Sequence, residues 1–300
     1  MRYAAHQSFV APARRRAELW RLLAGLGVVL VVLFGLNWAL RAALFAISPQ
    51  GLYAEVVLAE TPGGTPISAL VLLYAFAFMA LGTVAAAHHL HRRSAVSLIG
   101  PSLRAGLRDF GRVLVALALL HAAVVLLPPW GAAPGGAEPR QNLPADLWLL
   151  LLPLTLGGLL VQTGAEELLF RGYIQQQLAA RFRSPLIWMG APAVLFALGH
   201  YAPSNYGTNA LAVALWTGLF ALVLADLTAR AGTLGPAIAV HFTNNLFPIA
   251  LTAMEGPLSG LALYTLPDLP PDGGALLSAL PIDLGLMLCS WLAARIAIRR

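Results

Sequence analysis

The sequence predicts an all-α polytopic membrane protein of about eight transmembrane helices, with its candidate active site inside the helical bundle. Three observations predict this. Of the 300 residues, 59% are hydrophobic and 11% charged, whereas a soluble domain carries about 25% charge. Mean hydropathy is +0.75, more apolar sequence than a compact soluble chain can hide beneath a polar cover. The apolar residues also fall into runs, at 22–47, 66–88, 113–130, 147–170, 186–200, 209–229, 233–253 and 278–296. A helix needs about 20 such residues to cross the hydrocarbon.

In chain order, residues 1–21 form an N-terminal tail carrying Arg14, Arg15 and Arg16. The run that follows exceeds the roughly 7–15 residues of a signal peptide core, so it is read as an uncleaved first helix. Residues 22–145 make an N-terminal transmembrane block. Its loop at 48–65 holds Glu55 and Glu60 without Arg. Its segment near 92–112 sets Arg92, Arg93, Arg104, Arg108 and Arg112 among Leu98, Leu103, Leu107 and Phe110. That segment reads as a short amphipathic helix on the inner surface or as a plain basic loop. A Gly/Pro-rich connection at 131–146 leads into a core region at 146–253, whose turns carry Arg181, Arg183 and Arg230. Residues 254–300 hold a loop with Glu255, Asp268 and Asp272, a last helix, and a tail with Arg295, Arg299 and Arg300.

Arg-rich and Arg-poor connections thus alternate. The positive-inside rule places both termini in the cytoplasm and makes 254–277 extracytoplasmic. The composition has a bacterial look, so the expected location is the inner, cytoplasmic membrane. All nineteen basic residues are Arg, and the net charge is +6. They flank apolar runs, which is an orientation pattern; the lipid bilayer is the expected partner and nucleic acid is not. The lone Cys289 excludes an intramolecular disulfide and any multi-cysteine metal site. No internal repeat of the transporter kind is evident.

Ionisable groups inside spans are costly and mark function. Here they are Arg41, His121, Glu166, Glu167, Arg171, His200, Asp226, His241 and Asp283. Arg41, Asp226 and Asp283 lie near span ends and read as structural, and His121 reads as a packed ring. Glu166 and Glu167 differ, because two bare carboxylates in an apolar run are very expensive. Arg171 follows Glu167 by four residues, acid before base on one helical face. Glu166 is rotated about 100° away and is left free. The midpoint between 166 and 200 falls at Arg183, in a turn. A hairpin pivoting there sets Glu166 and His200 at one depth, about 25 Å from the turn. His241 and Asn245 share a face one turn apart.

This set fits hydrolysis. A carboxylate takes a proton from water, and an imidazole shares that role. A second imidazole and an amide donate to an oxyanion. Glu166, His200 and His241 also make a zinc set with water at the open position. The residues leave both chemistries open, although HExxH, GxSxG and paired intramembrane Asp are absent.

Three stretches now matter together: Glu166-Glu167-Leu168-Leu169-Phe170-Arg171, Phe196-Ala197-Leu198-Gly199-His200 and His241-Phe242-Thr243-Asn244-Asn245. In order and spacing they resemble the EExxxR, FxxxH and HxxxN motifs of the CPBP family, the CAAX-protease and bacteriocin-processing membrane proteins, also called Abi. Arg230-Ala231-Gly232-Thr233-Leu234 is similar to the family's lead-in, with Thr for Ser. The resemblance implies an intramembrane endopeptidase acting on a membrane-associated or exported protein or peptide. It implies Glu166 as the water-activating base, Glu167 and Arg171 as its support, and His200 as its assistant or a metal ligand. His241 and Asn245 would hold the oxyanion or complete a metal site, Phe196 would pack, and Zn2+ would be the cofactor if one is used. The other reading is a non-catalytic membrane partner of the same fold, an immunity protein, scaffold or regulator.

Overall fold

The computed structural model describes residues 3–126, 138–267 and 274–299. The end of the third apolar run, half of the Gly/Pro-rich connection, Asp268 and Asp272 lie outside the described residues. The chain opens with α1 (Ala4–Val10) and a 3-10 turn at Ala11–Arg16. It continues through α2 (Leu19–Ile47), α3 (Leu52–Val57) and α4 (Pro66–His91). After a 3-10 turn at Ala95–Leu98 comes α5 (Leu103–Leu126). Strand β1 (Arg140–Gln141) leads into α6 (Ala145–Glu167), a π-helical turn at Leu168–Ile174 and α7 (Gln175–Arg181), one continuous rod. Then follow α8 (Pro185–Gly199), a one-turn α9 (Pro203–Tyr206), α10 (Ala210–Ala231) and α11 (Gly235–Leu246), which runs into a second π-helical turn at Phe247–Leu251. Strands β2 (Thr252–Met254) and β3 (Tyr264–Leu266) precede α12 (Gly274–Ile298).

The architecture is all-α and polytopic. Among the described residues, 6 helical segments are long and apolar enough to cross a membrane. The runs at 186–200 and 233–253 fall instead on α8, 15 residues, and α11, 12 residues. The eight expected spans are therefore six full-length helices and two shorter ones. The reason is proline placement. Pro185 and Pro236 sit in first turns, where the missing N–H costs nothing. Pro248 lies at the start of the π-helical turn that ends α11, where it cannot donate a ladder bond. Trp38, Leu186, Ile282 and Ile296 are 73%, 85%, 75% and 76% exposed, a dressing that suits lipid and not water.

The two ends of the bundle differ. Near one end the Arg16 carbonyl accepts from His91 Nδ1 at 2.8 Å. The Leu90 carbonyl accepts from Arg21 at 3.1 Å, and the Leu234 N–H donates to Ile99 at 2.8 Å. Gly232 caps α10 with φ 71°, and a Cβ there would lie 2.5 Å from the Ala5 carbonyl oxygen. Only glycine satisfies both the left-handed backbone and the approach of α1. Residues 3–21 thus pack against the bundle: Tyr3 and His6 set their rings against Trp188 of α8.

At the other end β1, β3 and β2 form a small sheet in that order, β1 antiparallel and β2 parallel to β3. The segment near 92–112 is not a separate surface helix. Arg93 and Leu98 are buried, at 2% and 0% exposure, and Arg93 donates to the carbonyls of Ser97 and Gly172. Burial pushes the Arg93 guanidinium down to about 10. From Leu103 onward the segment is simply the first turns of α5.

Candidate active site

The site forms where α6, its π-helical turn and α11 meet. Glu166 and Glu167 are the last residues of α6, 8% and 0% exposed. The rod then widens into the π-helical turn, a distortion often found at functional positions. Arg171, in that turn, donates from Nη1 to Glu167 Oε1 at 2.8 Å, so the expected acid–base pair forms. Its Nη2 donates to the Ala221 carbonyl of α10 at 3.1 Å. Its guanidinium lies 4.8 Å over the Phe196 ring, which explains an aromatic at that position in physical terms. Phe196 also packs edge-on against Phe170 and His241.

His241 joins the two acids. Its Nδ1 donates to Glu167 Oε1 at 2.8 Å, and its Nε2 stands 3.3 Å from Glu166 Oε2. The ring is 3% exposed and meets Phe220 edge-on at 5.5 Å. Glu166 is therefore not the free acid that helical spacing suggests. Its Oε2 also accepts from Gln162 Nε2 at 2.8 Å. Gln162 in turn accepts from Asn245 Nδ2 at 3.0 Å, and Asn245 Oδ1 accepts from Asn244 at 3.2 Å. One unbroken chain of contacts thus runs Asn244, Asn245, Gln162, Glu166, His241, Glu167, Arg171.

His200 is placed differently from the others. It caps α8, and its Nδ1 donates to the Phe196 carbonyl at 2.8 Å. A carbonyl only accepts, so the proton is on Nδ1 and Nε2 is bare in the neutral ring. His200 lies within electrostatic reach of Glu166 without bonding to it. His241, not His200, is the histidine that touches Glu166.

Gln162 was not singled out from the sequence. Its signal was present, one turn before Glu166 on the same face. Asn244 also lines a small cavity of about 50 Å³, together with His121, Trp216 and Asp283. Asp226, read as structural, accepts from Arg230, Trp291 and Tyr3.

Of the zinc set expected from the sequence, Glu166 and His241 are in contact, and His200 makes its hydrogen bond to Phe196. Among the described residues no three His, Cys, Asp or Glu side chains are grouped to hold a metal ion. His241 has both ring nitrogens beside carboxylates, Nδ1 at Glu167 and Nε2 at Glu166.

Comparison with known proteins bears out the resemblance read from the motifs. Residues 146–247 are matched by the family model described as type II CAAX prenyl endopeptidase Rce1-like. That stretch contains every candidate site residue from Glu166 to Asn245. Over 249 residues the chain is 26% identical to "Uncharacterized protein YyaK" of Bacillus subtilis (strain 168), which covers 80% of each chain. No solved structure matches.

Proposed function

We propose that this chain, which is similar over residues 146–247 to the Rce1-like endopeptidases, is an intramembrane endopeptidase that uses Glu166 to activate water. Its substrate would be a membrane-associated or exported protein or peptide. The observation that carries this reading is the His241 ring held between Glu166 and Glu167. Two acids, an imidazole and a guanidinium in an apolar bundle are costly to keep, and membrane proteins keep such groups for chemistry.

The roles follow from which atoms are committed. Arg171 faces Glu167, and the His241 ring lies between Glu166 and Glu167. Glu166 Oε1 has no partner among the described residues and is offered to water. The bare Nε2 of His200 orients that water. Glu166 takes a proton as the water oxygen attacks the scissile carbonyl carbon. The new C–O bond pushes the carbonyl pair onto oxygen. Once neutral, Glu166 releases its hold on His241 Nε2–H, which turns to the oxyanion beside the second N–H of Asn245. Glu166 then returns the proton to the leaving nitrogen as the C–N bond breaks. Positioned acid–base catalysis of this kind contributes about 10²–10⁴-fold.

The test is cleavage of a tagged membrane-protein substrate in proteoliposomes. Glu166→Gln is expected to lower the rate by about 10²–10⁴-fold with an unchanged thermal midpoint. Full cleavage by that variant would overturn the assignment. Metal content and a chelator arm decide the chemistry. Retained activity in chelator supports the glutamate mechanism, whereas loss restored by zinc would replace it.

A further inference from the structure

A second concavity lies away from the site, where the N-terminal segment meets the turn between α7 and α8. Its volume is about 590 Å³, within the roughly 300–1,000 Å³ range of ligand sites. Arg14, Arg181 and Arg183 line it, and no Asp or Glu does. Arg14 is tied back by a hydrogen bond to Gln7. Arg181 and Arg183 make no hydrogen bond or ion pair among the described residues. Three like charges converging on one cleft repel each other and await an anion.

Two further features point to a ligand. His6 is 2% exposed and lines the cleft; its Nε2 is buried without a close hydrogen bond, and the Gln176 side chain is a polar neighbour. The wall is aromatic, made by Tyr3 and Trp188, and Pro185 leads directly to Leu186, 85% exposed on the outside of the bundle. The cleft thus has a cationic mouth, a polar floor and an apolar flank that continues onto the lipid-facing surface.

We propose that this cleft is a binding site for a phosphate group, seated by Arg14, Arg181 and Arg183 with His6 beneath it. Arginine forks suit phosphate oxygens. The apolar flank favours a phospholipid whose acyl chains run along Leu186. A soluble phosphate compound would use the same three arginines but not the flank. Occupancy would clamp the N-terminal segment onto the α7–α8 turn.

The full-length protein in nanodiscs tests this, with phosphatidylglycerol in a phosphatidylcholine background as the probe. Co-purified lipid is counted by native mass spectrometry. The wild type is expected to retain phosphatidylglycerol selectively. Arg181→Ala with Arg183→Ala is expected to weaken retention by about fivefold per arginine, the equivalent of roughly 1 kcal/mol each. The control is Arg15→Ala with Arg104→Ala, two exposed arginines that do not line the cleft. An equal loss in the control would reduce the effect to general surface charge and overturn the proposal, as would equal retention in all three proteins. Inorganic phosphate separates the sources. Retention that survives added phosphate identifies the lipid. Displacement by phosphate, with phosphate also raising the wild-type thermal midpoint in lipid-neutral discs, identifies a soluble phosphate compound in the same site. These readouts do not involve cleavage, so they stand apart from the proposed endopeptidase activity.

Discussion

Glu166 and Glu167 are neighbours with different partners, and the roles proposed for them differ accordingly. Glu167 Oε1 receives both Arg171 and His241. Removing it leaves a guanidinium at 2% exposure without a counter-charge. Breaking such a buried pair costs about 3–5 kcal/mol, so Glu167→Ala is expected to lower the thermal midpoint in detergent steeply, whereas Glu166→Gln leaves it in place. Equal midpoints for the two variants would refute this division. Gln162 donates to Glu166, and in the proposed mechanism it positions that acid without reaching the reacting atoms. Gln162→Ala is expected to cut kcat by about 10-fold, the size expected when a group that orients a reacting side chain is lost, with KM unchanged; a rise in KM alone would assign it to substrate binding. The Glu167–Arg171 pair was legible in the sequence because helical spacing is local. The bond from His241 to Glu167 spans 74 positions, and no periodicity reports it. Gln162 was hidden for another reason: an amide in a helix carries no charge, so it raises no alarm among apolar neighbours.

Long helices declared themselves through apolar runs, and short elements did not. α1, the π-helical turns and the three-stranded sheet are built from segments of 2 to 7 residues, too short for a period to repeat. Contact at the first π-helical turn is close. A Cβ on Gly172 would lie 2.5 Å from the Leu98 carbonyl oxygen, so Gly172→Ala forces the Ala95–Leu98 turn away from Arg171's neighbour. Overpacking of this kind costs about 1–3 kcal/mol, read as a fall in thermal midpoint. The N-terminal segment adds an acid sensitivity. Burial, aided by the charge of Arg14, lowers His6 from 6.5 to about 4. The unfolded chain therefore takes up the proton first as pH falls. The stability that neutral His6 contributes is complete above pH 6.5 and is lost progressively down to about pH 4. The thermal midpoint of the wild type should fall through that window more than that of His6→Phe, and parallel profiles would disprove the linkage.

Orientation is a property of the assembled bundle, and the charges predict it through their grouping. The Arg16 backbone meets His91, and Arg14, Arg181 and Arg183 share a cleft. Connections that are far apart in sequence but rich in Arg are thus gathered at one end. The sheet, with Glu255 bonded through its backbone to Leu266 beside β2 and β3, marks the opposite end. The six spans and two shorter helices preserve this polarity because each connection still reverses direction; the count of full spans matters less than the alternation. Positive charge is retained on the cytoplasmic side during insertion, which leads to a definite expectation. In a Cys289→Ala background, single cysteines at Arg15 and Arg183 should react with a membrane-impermeant maleimide only after the inner membrane is opened. Cysteines at Glu60 and Glu138 should react in intact spheroplasts. The reverse labelling would invert the topology, and with it the side from which a phosphate group enters the arginine cleft. Labelling of Arg15 and Arg183 from different sides would contradict the single basic end on which both depend.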